Sequence, residues 1–110
     1  MNLSSLLERR FTPKAWAEAG EPVVFVLRAL TVEQRDRLTS VRSSAVEPLV
    51  PDLRGFFLAG VARIENLTVD GKAVTTAEEF MQLPGLYPIY LAVAVECFMF
   101  NGLGGAERKN

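Results

Sequence analysis

The chain has 110 residues, a formal net charge of -1, and neither a histidine nor a second cysteine beside Cys97. With 23% charged residues in near balance, it generates no field that would gather nucleic acid or an anionic membrane. The missing imidazole removes the commonest general base and metal ligand, and a lone cysteine excludes an internal disulfide.

One domain is expected at this length, with enough chain for a core but little margin. The apolar fraction of 49% lies at the upper end of the soluble range. The start, MNLSSLLERRF, has neither a basic opening nor a long apolar stretch, so no signal peptide is expected, and a soluble cytoplasmic protein is.

Residues 1–20 read as an N-terminal arm. Ser4 to Arg10 has the spacing for one or two helical turns, with Leu3, Leu6 and Leu7 on one side. Phe11-Thr12-Pro13 breaks it, because the residue before proline is pushed out of the helical region. A short amphipathic piece around Trp16 ends at Gly20. Val23 to Arg28 is an unbroken run of β-branched and large apolar residues and predicts a strand. Val23, Phe25 and Leu27 alternate with Val24, Val26 and Arg28 across its two faces.

Thr31 and Gln34 have capping-box spacing, so a helix should begin at Thr31. Glu33 and Arg37 stand i,i+4 in the favourable order, and Leu38, Val41 and Ala45 form a narrow apolar stripe. Pro48 and Pro51 punctuate a linker. From Asp52 the positions Leu53, Phe56, Phe57, Val61 and Ile64 fit a helical face, weakened by Gly55 and Gly60, with a change to strand expected near Ala62. Asp70-Gly71 is the strongest short hairpin signal in the chain. Thr76 and Glu79 form a second capping box, opening a short helix through Met81 that halts at Pro84-Gly85.

The last element is the most informative. Leu86 to Phe100, LYPIYLAVAVECFMF, is apolar except at Pro88 and Glu96 and stops at Asn101-Gly102. With Ile89 at the top of a helical wheel, Val93, Glu96 and Phe100 lie near it, and Leu91 and Phe98 lie opposite. Tyr90, Ala94 and Cys97 take one flank; Ala92, Val95 and Met99 take the other. A helix with no polar face requires burial all round, in a core, a membrane or another chain. The run is too short to span a bilayer, and a small domain has little chain with which to wrap it. A partner or an oligomer is therefore expected. Glu96 needs a counter-charge such as Arg28 or Arg63, a pairing across an interface, or a wet edge. The tail, 102–110, is glycine-rich, then charged, and is expected to be loose.

Catalytic, cofactor and metal sites are not expected. Cys97 reads as a buried, inert thiol. Glu78 and Glu79 read as first-turn acids that complement a helix dipole, and Asp70 as a turn residue. Arg28, Arg35 and Arg42 make a basic face without an aromatic platform, better suited to solvent or protein contact than to RNA.

In the C-terminal half, VDGKAVTTAEEF (Val69 to Phe80), Leu83-Pro84, an apolar helix closing on FNGL (Phe100 to Leu103) and a terminal ERKN (Glu107 to Asn110) follow in that order. VLRALTVEQRD (Val26 to Asp36) precedes them. In this order the chain resembles the tail assembly chaperones of long-tailed bacteriophages. It departs from their pattern in the loosely matching stretch from Val50 to Asn66 and in a final helix more apolar than theirs. The resemblance implies a non-enzymatic protein of the infected host's cytoplasm. Such a protein binds the tape measure protein and helps recruit tail tube subunits, and in many phages a ribosomal frameshift adds a C-terminal extension; the apolar last helix adds the expectation of a homo-oligomer.

The fold expected is α+β: a small, mostly helical domain with a short antiparallel sheet, made of the Val23 strand and the hairpin at Asp70-Gly71, under the apolar C-terminal helix. Candidate partner-binding residues are Phe56, Phe57, Tyr90, Val93, Glu96, Phe98, Met99 and Phe100. Alternative readings are a small virion component of the neck or tail-completion type, or a host-directed regulatory binding protein using the arginine face.

Overall fold

The computed structural model describes residues 7–17, 20–39 and 52–101. It is an α+β domain in which a three-stranded antiparallel sheet, β1 (Glu8–Phe11), β2 (Val24–Arg28) and β3 (Val61–Glu65), is ordered β1-β2-β3. A separate hairpin pairs β4 (Thr68–Val69) with β5 (Lys72–Ala73). The helices are α1 (Val32–Thr39), α2 (Leu53–Gly60), α3 (Ala77–Met81) and α4 (Tyr87–Asn101), with one 3-10 turn at Lys14–Trp16.

Two expectations about the sheet are corrected. The segment read as helical turns up to Arg10 is strand from Glu8 onward, and the hairpin does not join the Val23 strand. Both corrections have one cause. β2 is buried on both faces, so the backbone N–H and C=O groups along both of its edges need partners away from water, which β1 and β3 supply. Glu8 pairs with Arg28 and Arg10 with Val26 in the β1–β2 register, and the Ala29 amide donates to the Leu7 carbonyl at 2.7 Å. A short charged segment has little preference of its own, so pairing partners decide its conformation. The Trp16 piece is a single 3-10 turn rather than an amphipathic helix.

On the outer face of the sheet, Val26 is only 1% exposed because Arg10 and Arg63 flank it in register. Their guanidiniums are held by carboxylates: Arg10 by Glu65 at 2.6 Å, and Arg63 by Glu65 at 3.2 Å and Glu8 at 3.5 Å. The long arginine stems cover apolar surface while their heads stay in water. The Arg10 hydrogen bond holds the Glu65 carboxyl below its ordinary range.

A register slip in β3 solves a parity problem. Val61 and Ile64 are three apart, and strict alternation would put them on opposite faces. The ladder pairs Val26 with Arg63 but Leu27 with Val61, leaving Ala62 without a partner of its own. That bulge turns both Val61 and Ile64 inward, where they are 3% and 2% exposed.

Helix starts follow the sequence closely. Thr31 and Gln34 close the first capping box, the Gln34 amide donating to Thr31 Oγ1 at 3.1 Å and the Thr31 amide to Gln34 Oε1 at 3.0 Å. Asp52 accepts from the Gly55 amide at 3.0 Å. The Glu79 amide donates to Thr76 Oγ1 at 3.1 Å, and Glu79 Oε1 accepts from Thr75 and Thr76. The helix-to-strand change falls at Val61, one residue before Ala62. Asp70 and Gly71 both have positive φ, 52° and 80°, as a type I′ hairpin turn requires. The expected stripe positions Val41 and Ala45, the linker prolines Pro48 and Pro51, and the tail 102–110 lie outside the described residues.

The core sits between the inner face of the sheet and the α2–α4 pair. Phe25 and Leu27 of β2 meet Phe56 and Phe57 of α2, Phe80 of α3, and Ile89, Val93, Ala94 and Cys97 of α4. Phe80 stands edge-on to Phe25 at 5.4 Å and tilted against Phe57 at 5.5 Å. The glycines that weakened the reading of α2 are contact points. A Cβ at Gly60 would lie 3.0 Å from Cys97 Sγ, and one at Gly55 would collide with the Leu38 side chain. Glycine there lets α4 and α1 approach α2 closely.

Candidate partner-binding surface

The core takes one side of α4 and leaves the other. Ile89, Val93, Ala94 and Cys97 are buried, and Tyr90 is half-buried beside them. On the opposite flank Pro88, Ala92 and Val95 are exposed, with Leu91 and Met99 partly so. Val95 keeps 44% of its surface and Tyr87, in the first turn, 66%. Among the described residues the chain thus covers one side of this helix and leaves the other open. Its outward flank presents no charge between Tyr87 and Met99, because Glu96 sits toward the sheet side. An exposed, uncharged face of this kind makes the flank a candidate contact surface.

The candidate residues divide. Phe56, Phe57 and Val93 are fully buried and belong to the core; as partner-binding residues they are corrected. The helical face holds for Leu53, Phe56 and Phe57, whereas Val61 and Ile64 belong to β3, and periodicity alone does not say that this face meets α4. Tyr90, Phe98, Met99 and Phe100 remain half-buried. Tyr90 packs against Phe57 at 5.1 Å and Tyr87 at 5.5 Å, and Phe98 stands edge-on to Phe56 at 5.4 Å. Their outer edges border the exposed flank. Pro88, Leu91, Ala92 and Val95 were missed as candidates, although the wheel already grouped Ala92, Val95 and Met99.

Glu96 is paired inside the chain, but with neither Arg28 nor Arg63. Arg9 reaches it at 2.7 Å, the two side chains being 51% and 21% exposed. Arg9 lies on the inner face of β1, opposite Leu27, and that placement exists only because Glu8–Phe11 is a strand. Arg63 is taken by Glu8 and Glu65.

Asn101 does work that the sequence did not suggest. Its Oδ1 accepts from the Leu30 amide at 2.7 Å, and its Nδ2 donates to the Arg28 carbonyl at 3.2 Å and to the Cys97 carbonyl at 3.1 Å. Arg35 Nε donates to the Asn101 carbonyl at 3.1 Å. The last residue of α4 thus fastens the helix to the turn between β2 and α1. The available signal was an amide closing an apolar helix, where every polar group requires a partner.

The other chemical candidates resolve simply. Burial, and then the neighbouring Glu96, pushes the Cys97 thiol up to about 12, so it holds its proton and stays inert. Glu79 serves the capping box and Glu78 is exposed in the same first turn. Arg35 is engaged by Asn101 and Asp36, and Arg42 lies outside the described residues. Among the described residues no group of three or more potential metal ligands gathers, and no helix is long and apolar enough to cross a membrane.

A cavity of about 240 Å³ opens where α2, the end of α3 and the first turn of α4 meet, lined by Arg54, Met81, Leu83, Leu86, Tyr87 and Tyr90 among others. It adjoins the exposed flank at Tyr87. Compared with models of protein families, with curated proteins and with solved structures, the chain matches none.

Proposed function

We propose that this chain is a non-enzymatic tail assembly chaperone of a long-tailed bacteriophage, acting in the cytoplasm of the infected host. It binds the tape measure protein and helps recruit tail tube subunits. The observation that carries the reading is the uncharged outward flank of α4, running from Tyr87 and Pro88 through Leu91, Ala92 and Val95 to Met99. A long helical client with apolar stripes is held by a helix-on-helix contact of this kind. The order of the DGK turn, the capped short helix, the proline and the helix closing on Asn101-Gly102-Leu103 adds the sequence resemblance. The same flank serves self-association while the client is absent.

The test is co-expression with the tape measure protein of the same genome, followed by affinity capture and a solubility assay. The reading expects the tape measure to become soluble and co-purify, and Val95→Asp to abolish both while the circular dichroism of the chain is unchanged. It also expects the chain to be absent from purified virions by mass spectrometry. A tape measure that aggregates regardless, with the frameshifted form as well as this one, or the presence of this chain in virions, overturns it.

A further inference from the structure

The cavity at the first turn of α4 differs in chemistry from the flank beside it. At about 240 Å³ it falls below the roughly 300–1,000 Å³ of sites that enclose a cofactor or drug-sized molecule. It is sized for side chains. Met81, Leu83 and Leu86 make apolar walls, and the Tyr87 and Tyr90 rings close one side. One cation stands over it. Arg54 is exposed on the first turn of α2, and among the described residues it has no ion-pair partner. Arg9, Arg10, Arg35, Arg37 and Arg63, by contrast, each meet a carboxylate within 4.0 Å. Asp52, the acid nearest to Arg54 along the chain, accepts from the Gly55 amide as helix cap.

We propose that this cavity docks a helical segment of a partner protein, which inserts one bulky apolar side chain and sets a carboxylate one turn away against Arg54. The apolar walls reward burial of a leucine or an aromatic ring. Arg54 makes the rim selective, because a basic residue there is repelled while an acidic one gains a charge-assisted hydrogen bond. The lining comes from helices and their connections and offers no strand edge, which favours a helix over an added strand. The cavity borders the outward flank of α4 at Tyr87, so a docked helix continues along an uncharged surface. The site stands independently of the tape measure reading, since it specifies the chemistry of the docked segment and not its owner.

The experiment is fluorescence anisotropy of two labelled designed peptides, both amphipathic helices with a leucine face. One carries a glutamate beside that face and the other a lysine. The acidic peptide is expected to bind about tenfold tighter, the worth of one partly desolvated charge pair. Arg54→Glu, at an exposed position, should keep the thermal transition and reverse the preference. Tyr87→Ala should weaken both peptides. Equal affinities for the two peptides, a preference unchanged by Arg54→Glu, or binding of neither peptide overturns the proposal. So does sedimentation showing that Arg54→Glu dissociates a wild-type dimer, which would assign the cavity to a second copy. Co-expression with the tape measure protein uses a separate readout, so either proposal can fail alone.

Discussion

Asn101 joins three backbone groups from two parts of the chain through one amide. Truncating it leaves the part-buried Leu30 amide without its partner, while the exposed Arg28 carbonyl turns to water. An unsatisfied group of this kind costs roughly 1–3 kcal/mol. Asn101→Ala should therefore lower the urea midpoint by a corresponding amount with an unchanged slope, and frequent amide exchange at Leu30 should accompany it. Glu79 makes a pH prediction. Hydrogen bonds from the Thr75 amide and then the Thr76 amide hold its carboxyl below the ordinary range. In acid the unfolded chain binds this proton first, so the contribution of Glu79 is present above the unfolded carboxylate pKa. It is lost as pH falls through the depressed folded value. Urea midpoints of wild type and Glu79→Gln should differ at neutral pH and converge on acidification. A constant gap across that range would contradict the assignment.

At the scale of elements, the α2–α4 contact is the centre of the fold, and Gly60 is its tightest point. A methyl group there meets Cys97 Sγ at 3.0 Å, so Gly60→Ala should destabilise by about 1–3 kcal/mol through overpacking, despite the better helix propensity of alanine. Cys97→Ala removes the sulfur that the new methyl meets. The double mutant should then be more stable than the sum of the single changes requires, a coupling that a double-mutant cycle measures. Element starts were legible before the structure because capping is local. Thr31 with Gln34, Asp52, Thr76 with Glu79, and Asp70-Gly71 each satisfy backbone groups within a few residues. The sheet was not legible to the same degree. Glu8–Phe11 and Val61–Glu65 become strands by pairing with β2, and an ERRF sequence carries no mark of a neighbour that lies well along the chain. The strand after α2 is expected from near Ala62 and begins at Val61, but the bulge at Ala62 breaks the alternation that would have told its inner face from its outer one.

At the scale of the molecule, the buried aromatic residues and the outward flank should respond oppositely to mutation. Phe56→Ala and Phe57→Ala remove fully buried rings and should cost about 3–5 kcal/mol each, enough to unfold a marginal domain. Val95→Asp should leave stability within about 0.5 kcal/mol and lower self-association in sedimentation. If Val95→Asp unfolds the chain, the flank is core and the proposed contact surface falls with it. The candidate site was half legible. The excess of apolar surface on the final helix could be counted from the sequence, because 110 residues have limited means to enclose it. Which residues form that excess could not. Phe56, Phe57 and Val93 were exchanged for Pro88, Leu91, Ala92 and Val95 once α2 and the sheet took one side of α4.

What the amino-acid order settled alone was where the three capped helices and the hairpin begin, that Cys97 is a buried thiol, and that the last helix exceeds what one side of a core absorbs. These are properties of near neighbours and of composition, so no distant contact alters them. Tertiary structure decided the rest: the first edge strand and the order of the sheet, Arg9 as the counter-charge of Glu96, Asn101 as the fastening of α4, and the flank of that helix left to solvent. Each depends on residues far apart in sequence meeting at a distance of a few ångströms. Periodicity ranks the faces of a helix against one another, but only packing selects the face that is covered.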